Sequence, residues 1–194
     1  MRLLAFAIAV TSSTPALADD GYYLAGSIGG AGYHGGLGRY DGASRWQMGI
    51  GIRHDDWSIE AFGLAMMSDL FVTDCYDDEC AAGTAPQADL AAGGIDARKR
   101  WQLLHLRRWG RPGTYERPGV FAAVHAGPRW FVANGALDGY RGPGIGGGAT
   151  LEVDLWVIGY YVDVGIDLMR LSREGKAIQG SAPYIAVGVQ FGWL

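Results

Sequence analysis

The chain has 194 residues, of which 49% are apolar and 12% aromatic, a composition too hydrophobic for a disordered segment. Its net charge of −4, with Asp and Glu dispersed along the sequence, offers no electrostatic footprint for nucleic acid. The 32 glycines follow no strict period, which excludes a collagen-like repeat.

At the N-terminus Arg2 supplies a positive charge, Leu3 to Val10 are uninterruptedly apolar, and Ala16-Leu17-Ala18 has the small-x-small form of a signal-peptidase site. These features predict a cleavable signal peptide over residues 1–18 and export across the inner membrane. The apolar run is too short to be a helix spanning a bilayer core of roughly 30 Å. Residues 19–194 are of single-domain size. The most apolar later stretch, Leu151 to Ile166, is interrupted by Glu152, Asp154 and Asp163, so no transmembrane helix is expected.

Beyond the leader the prevailing period is two, the signature of strands with two unlike faces. Eight segments carry it: 21–34, 45–54, 57–67, 99–109, 119–131, 145–155, 158–169 and 181–194. Tyr22, Leu24 and Ile28 oppose Tyr23, Ala25 and Ser27 in the first. Trp46, Met48, Ile50 and Ile52 oppose Gln47, Gly49, Gly51 and Arg53 in the second. The third to fifth alternate less cleanly, and in the fourth either face of Trp101 to Trp109 is compatible with an outward position. The seventh is the clearest, with Tyr160, Val162, Val164, Ile166 and Leu168 opposing Tyr161, Asp163, Gly165, Asp167 and Met169. In the last, Ile185, Val187, Val189, Phe191 and Trp193 share a face. Linkers near 35–44, 68–98, 132–144 and 170–180 read as long, those at Asp55-Asp56 and Val157 are tight, and only 110–118 breaks the trend. That alternation of connection lengths, with strands of about ten residues, fits a closed antiparallel up-and-down transmembrane barrel.

Which face is inside follows from volume. An eight-stranded barrel has a lumen just wide enough for side chains to fill. One set of faces here is bulky and aliphatic; the other is small or charged, and suits the lumen. The charges on that second set carry both signs: Arg53, Glu60, His105, Arg107, Arg129, Glu152, Asp154, Asp163 and Asp167. Opposite charges facing across a narrow lumen can satisfy one another, which lone buried charges cannot. Tyr22, Trp46, Trp57, Trp101, Trp109, Trp130, Tyr160 and Trp193 fall near strand ends, where aromatic girdles sit at headgroup level.

On the leader, the eight alternating segments and the aromatic C-terminal strand, residues 19–194 resemble the small eight-stranded outer-membrane barrels of Gram-negative bacteria, the OmpA/OmpX-like fold. The resemblance implies outer-membrane lipid and lipopolysaccharide as surroundings and the outer-membrane assembly machinery as a partner. That family places a terminal aromatic in phase with the outward positions. Here the chain ends Phe191-Gly192-Trp193-Leu194, with the aromatics one position out of phase.

The 68–98 linker holds Cys75 and Cys80 in the stretch CYDDEC, and an oxidising compartment predicts a disulfide between them. Asp74, Asp77, Asp78 and Glu79 beside it are a candidate for a hard cation. Their spacing matches no EF-hand loop, and a solvated acidic loop is the preferred reading. Lipid A deacylases are also small barrels of this compartment, and they carry a His-x-Ser pattern. None of His34, His54, His105 or His125 is followed two residues on by Ser, so lumen histidines paired with carboxylates are expected instead. The Gly142–Gly148 run precedes no Lys-Ser/Thr and is no phosphate-binding loop; it reads as a flexible lead into a strand. The expected function is therefore non-enzymatic: an envelope structural or surface-interaction protein without a cofactor, meeting an extracellular ligand through its loops. A lipid-modifying enzyme and a narrow solute channel are the alternatives.

Overall fold

The structure is a computed structural model that describes residues 20–40, 42–68, 88–105, 118–155 and 158–193. Among these the regular elements are strands: β1 (Asp20–Ala31), β2 (His34–Gly35), β3 (Ala43–His54), β4 (Trp57–Met67), β5 (Ala88–His105), β6 (Gly119–Gly135), β7 (Arg141–Leu155), β8 (Ile158–Arg173) and β9 (Lys176–Trp193). Each of β3 to β9 pairs antiparallel with its predecessor among the long strands, and β1 pairs back onto β9 from Tyr22–Trp193 to Ala31–Tyr184. The sheet thereby closes into a barrel of eight staves without an edge. The two residues of β2 are an extra bridge against β9 at the mouth.

Alternation explains the staves. Along β8, Tyr160, Val162, Val164, Ile166 and Leu168 are exposed on the outer wall, while Tyr161, Asp163, Asp167 and Met169 are buried inside. Along β3, Met48 is 77% exposed and Arg45 only 1%. The molecule wears its aliphatics outside and many of its charges inside.

Several strands run further than the sequence predicts. The fourth stave begins at Ala88, not 99, so residues 88–98 belong to the wall and the predicted 68–98 loop ends earlier. The Gly142–Gly148 run is not a flexible lead but part of β7. The predicted 132–144 linker shrinks to 136–140, and 170–180 to the two-residue turn Glu174-Gly175. Positive φ values of 49° and 81° at Glu174 and Gly175 make this a tight hairpin whose twist matches its strands. The physical reason is a change of sign. Toward this end β8 continues Arg170, Leu171, Ser172, with polar residues outward and Leu171 buried, so the alternation inverts instead of stopping.

The apolar interior gathers at the same end. Phe62, Leu64, Met66, Leu90, Phe131 and Leu171 fill the barrel there, with Met169 and Tyr184 beside them. Two turns close it from above. Gly35-Gly36-Leu37-Gly38-Arg39-Tyr40 and Gly135-Ala136-Leu137-Asp138-Gly139-Tyr140 share the pattern G-x-L-x-x-Y. Their leading glycines have φ of 67° and 68°. In each turn the amide three residues after the glycine donates to the glycine carbonyl, and the Tyr amide donates to the Leu carbonyl, all at 3.0 Å. Each turn lowers its leucine into the mouth, where Leu37 and Leu137 are both 1% exposed. Tyr33 adds a tie, its hydroxyl donating to the Ala88 carbonyl at 3.1 Å. Burial holds that hydroxyl well above the usual phenol range.

Candidate functional site

Below the apolar plug the lumen is filled by charge, arranged in two tiers. The upper tier is built on β3, β5, β6 and β8. Asp167 is fully buried between Arg129, which pairs with it directly, and Arg45, whose Nε lies 3.8 Å away. Arg129 Nη2 donates to Asp96 at 3.0 Å. His125 sits between two carboxylates, with Nδ1 2.9 Å from Asp96 and Nε2 3.1 Å from Asp163. Only the imidazolium carries the two N–H donors that would satisfy both sides. The Tyr184 hydroxyl donates to the other oxygen of Asp163 at 3.2 Å, and its ring lies under the Arg45 guanidinium at 3.8 Å.

The lower tier continues toward the short-turn end. Arg98 donates to Glu152 at 2.9 Å and lies 4.0 Å from Glu60. Arg100 bridges Glu152, at 3.4 Å, and Asp154, to which it donates at 2.6 Å. Arg53 is 3.8 Å from Asp154 and donates to Gln190 at 3.2 Å; Gln190 in turn donates to Asp154 at 2.8 Å. The Tyr23 hydroxyl donates to Glu60 at 3.1 Å. Among the described residues, each tier thus sets three carboxylates against three cationic side chains, counting His125 as one. Matching of this kind is what lets charge be buried at all, since an unpaired partner would bear the full desolvation penalty.

Long side chains fit a narrow lumen only where the neighbouring strand leaves them room. A Cβ at Gly146 would run into the Arg129 guanidinium, and one at Gly49 into the Glu60 carboxylate. Glycine at these two positions is the room the ion pairs occupy.

Of the sequence-predicted lumen charges, the structure brings Arg53, Glu60, Arg129, Glu152, Asp154, Asp163 and Asp167 into these tiers. His105 ends β5 with its side chain outside the described set, and Arg107 lies outside the described residues. Sequence reasoning missed Arg45, Asp96, Arg98 and Arg100. Arg45 continues the inner set of its strand by one step of two. Asp96-x-Arg98-x-Arg100 is hidden because the outer face it alternates with begins with Ala91 and Gly93, too small to announce a wall.

Of the aromatic positions, Trp46, Trp57, Trp101, Trp130 and Tyr160 are exposed on the outer wall and Tyr22 is half-buried. Tyr22, Trp57, Trp101 and Tyr160 lie toward the short-turn end, Trp46 and Trp130 toward the other. Trp109 and the Trp193 side chain lie outside the description, as do residues 1–18, the Cys75–Cys80 pair and the acidic cluster Asp74, Asp77, Asp78 and Glu79. A β-bulge between Gln102 and Leu104 disturbs the register of β5, leaving Leu103 and Leu104 both exposed.

No protein-family model matches the chain, and no curated protein matches it in sequence. Solved structures do match. Neisserial surface protein A (NspA) superposes with a TM-score of 0.60 at 12% identity, over 89% of this chain and 97% of that one. A major outer membrane protein from Thermus thermophilus matches at 0.45, with 11% identity over 90% and 99% of the two chains. The attachment invasion locus protein Ail of Yersinia pestis matches at 0.42, with 7% identity over 92% and 100%. At such identities the likeness concerns the fold, and by its fold this chain is similar to the small eight-stranded outer-membrane barrels.

Proposed function

We propose that this protein is an integral barrel of the bacterial outer membrane, with a structural or surface-interaction role exercised at the end where the plug and the longer connections gather. One observation carries the reading: the molecule is inverted relative to a soluble barrel. Met48, Ile59, Leu103, Ile185 and their neighbours form an exposed apolar wall, while twelve charged or ionisable side chains pair inside. In water such a wall would be an aggregation surface; in lipid it is the favourable one. The exposed Trp and Tyr side chains toward either end suit two headgroup-level girdles. Lipid and lipopolysaccharide are then the surroundings, and the outer-membrane assembly machinery is the route of insertion.

The channel alternative is disfavoured by the filling of the lumen, apolar above and ion-paired below. The lipid-modifying alternative is disfavoured by the environment of the one histidine placed in the lumen network among the described residues. His125 is 6% exposed and engages carboxylates with both nitrogens, leaving neither to activate a nucleophile.

The reading is tested by fractionating cells that express the full chain and comparing boiled with unboiled samples by gel mobility in detergent. The expected result is recovery in the outer membrane with a mobility that shifts on boiling. A chain found in the soluble periplasmic fraction, with no shift, would overturn it.

A further inference from the structure

At the mouth of the barrel, between the 136–140 turn and the Glu174-Gly175 turn, the outer wall carries a cleft of about 1050 Å³. Its lining is part apolar and part basic, and the register sets Val132 beside Arg141. Trp130, Val132 and Pro143 form its apolar part, and below them Ile145 and Leu168 continue the exposed aliphatic wall. Arg141, Arg170 and Arg173 form its basic part, all three exposed. Arg173 is already engaged: it donates to the Asp138 carbonyl and lies 3.7 Å from the Glu174 carboxylate. Arg141 and Arg170 point outward on adjacent staves, and among the described residues no carboxylate answers either.

Two unanswered guanidiniums directly above a lipid-facing wall are unlike the remaining arginines of the barrel strands, nearly all of which are paired inside. Guanidinium is the side chain best matched to phosphate oxygens, presenting a planar fork of donors. At headgroup depth it also avoids the cost of standing in hydrocarbon, because the charge reaches the polar layer while its stem stays low.

We propose that this cleft is a binding site for a phosphorylated lipid of the surrounding leaflet. Arg141 and Arg170 hold the phosphate, Arg173 borders it, and the acyl chains run down over Trp130, Ile145 and Leu168. Along β7 and β8 the outward residues run from cationic at the mouth to aliphatic below, Arg141 to Ile145 and Arg170 to Leu168, which is the order of an anionic amphiphile standing in a leaflet. The proposal rests on the outer-membrane reading above.

The test is titration of the purified full chain, in dodecyl maltoside micelles, with bisphosphorylated lipid A, dephosphorylated lipid A or inorganic phosphate, followed by native mass spectrometry. The boiled and unboiled mobility of each sample is recorded in parallel. Bisphosphorylated lipid A is expected to bind wild type, with affinity reduced roughly tenfold or more in the double variant R141Q/R170Q. Dephosphorylated lipid A is expected to bind wild type as weakly as that variant binds the phosphorylated form. Lys99→Gln, which removes a charge at the opposite end, is expected to leave binding unchanged. Equal affinity of wild type and the double variant would overturn the proposal, as would full displacement of the lipid by millimolar inorganic phosphate, which would mark a bare anion site. Because the gel shift reports the barrel separately, a heat-modifiable chain that ignores the phosphorylated lipid rejects this site alone. A chain with no shift and no detergent dependence rejects the membrane reading itself.

Discussion

The two halves of the lumen solve the same problem by different physics. Toward the loop end the barrel is filled by Leu, Met, Phe and Tyr, sealed by Leu37 and Leu137. Toward the short-turn end it is filled by twelve ionisable side chains in two balanced tiers. Apolar packing is sensitive to volume and indifferent to sign, so it tolerates swaps that keep size. Ion pairing across a lumen is sensitive to the loss of either partner and much less to the loss of both. The plug therefore stabilises by contact and the tiers by matching, and each should break in its own way.

The largest effect is expected at Asp167, which is fully buried and answers both Arg129 and Arg45. Asp167→Ala leaves two buried guanidiniums short of a counter-charge, at a cost of about 3–5 kcal/mol. The double replacement Arg129→Met/Asp167→Leu removes a matched pair and is expected to be much milder than Asp167→Ala. Denaturant titration of refolded protein, read by the gel-mobility shift, measures both. If the double variant is as damaged as the single one, matching is not what holds the lower half.

In the plug the expected pattern is reversed. Leu137→Ala opens space under the turn and costs about 2–5 kcal/mol, whereas Leu137→Met keeps the volume and costs under about 1.5 kcal/mol. The same titration distinguishes them. Similar losses for Ala and Met would mean that leucine's shape, not its volume, closes the mouth.

This division also explains what is legible in the sequence. Where a stave crosses the aliphatic wall with charge or glycine behind it, as in 45–54 and 158–169, the alternation is strong and the strand can be read. Above that level the outer residues become polar and the inner ones apolar: Arg170 and Ser172 outside, Leu171 inside, or Asn134 outside and Ala133 inside. A rule that expects apolar outward reads this inversion as a loop, which is why 132–144 and 170–180 resemble linkers. The start of β5 escapes for another reason, because an outer face of Ala91 and Gly93 has no bulk to alternate. Membership of the lumen can be read from face alone for residues such as Glu152 and Asp163. Their partners cannot, because Arg98 and Glu152 stand 54 positions apart and meet only once the staves curl. The G-x-L-x-x-Y turns are present in the sequence as a repeated spacing, but nothing in a spacing says that its leucine points down a barrel.

That repeat yields the smallest and most discriminating prediction. Gly35 and Gly135 hold φ of 67° and 68°, a conformation that a Cβ disfavours by about 1–2 kcal/mol. If both turns act only as local stoppers, Gly135→Ala and Gly35→Ala should each lower stability by about that amount. Both are paired to a neighbouring strand, Gly35 with Gly180 of β9 and Gly135 with Ala88 of β5. Gly35 belongs to the bridge against β9, and a Cβ there would stand 3.3 Å from the Gln179 carbonyl oxygen, against backbone that has little freedom to move. Gly35→Ala should therefore cost at least the upper part of that range, and Gly35→Asn less than Ala, since asparagine tolerates this region. Unfolding midpoints for the three variants in one detergent settle the order. A Gly35→Ala barrel as stable as wild type would mean that the 32–42 segment can lift without loss, and that the mouth is closed from the 136–140 side alone.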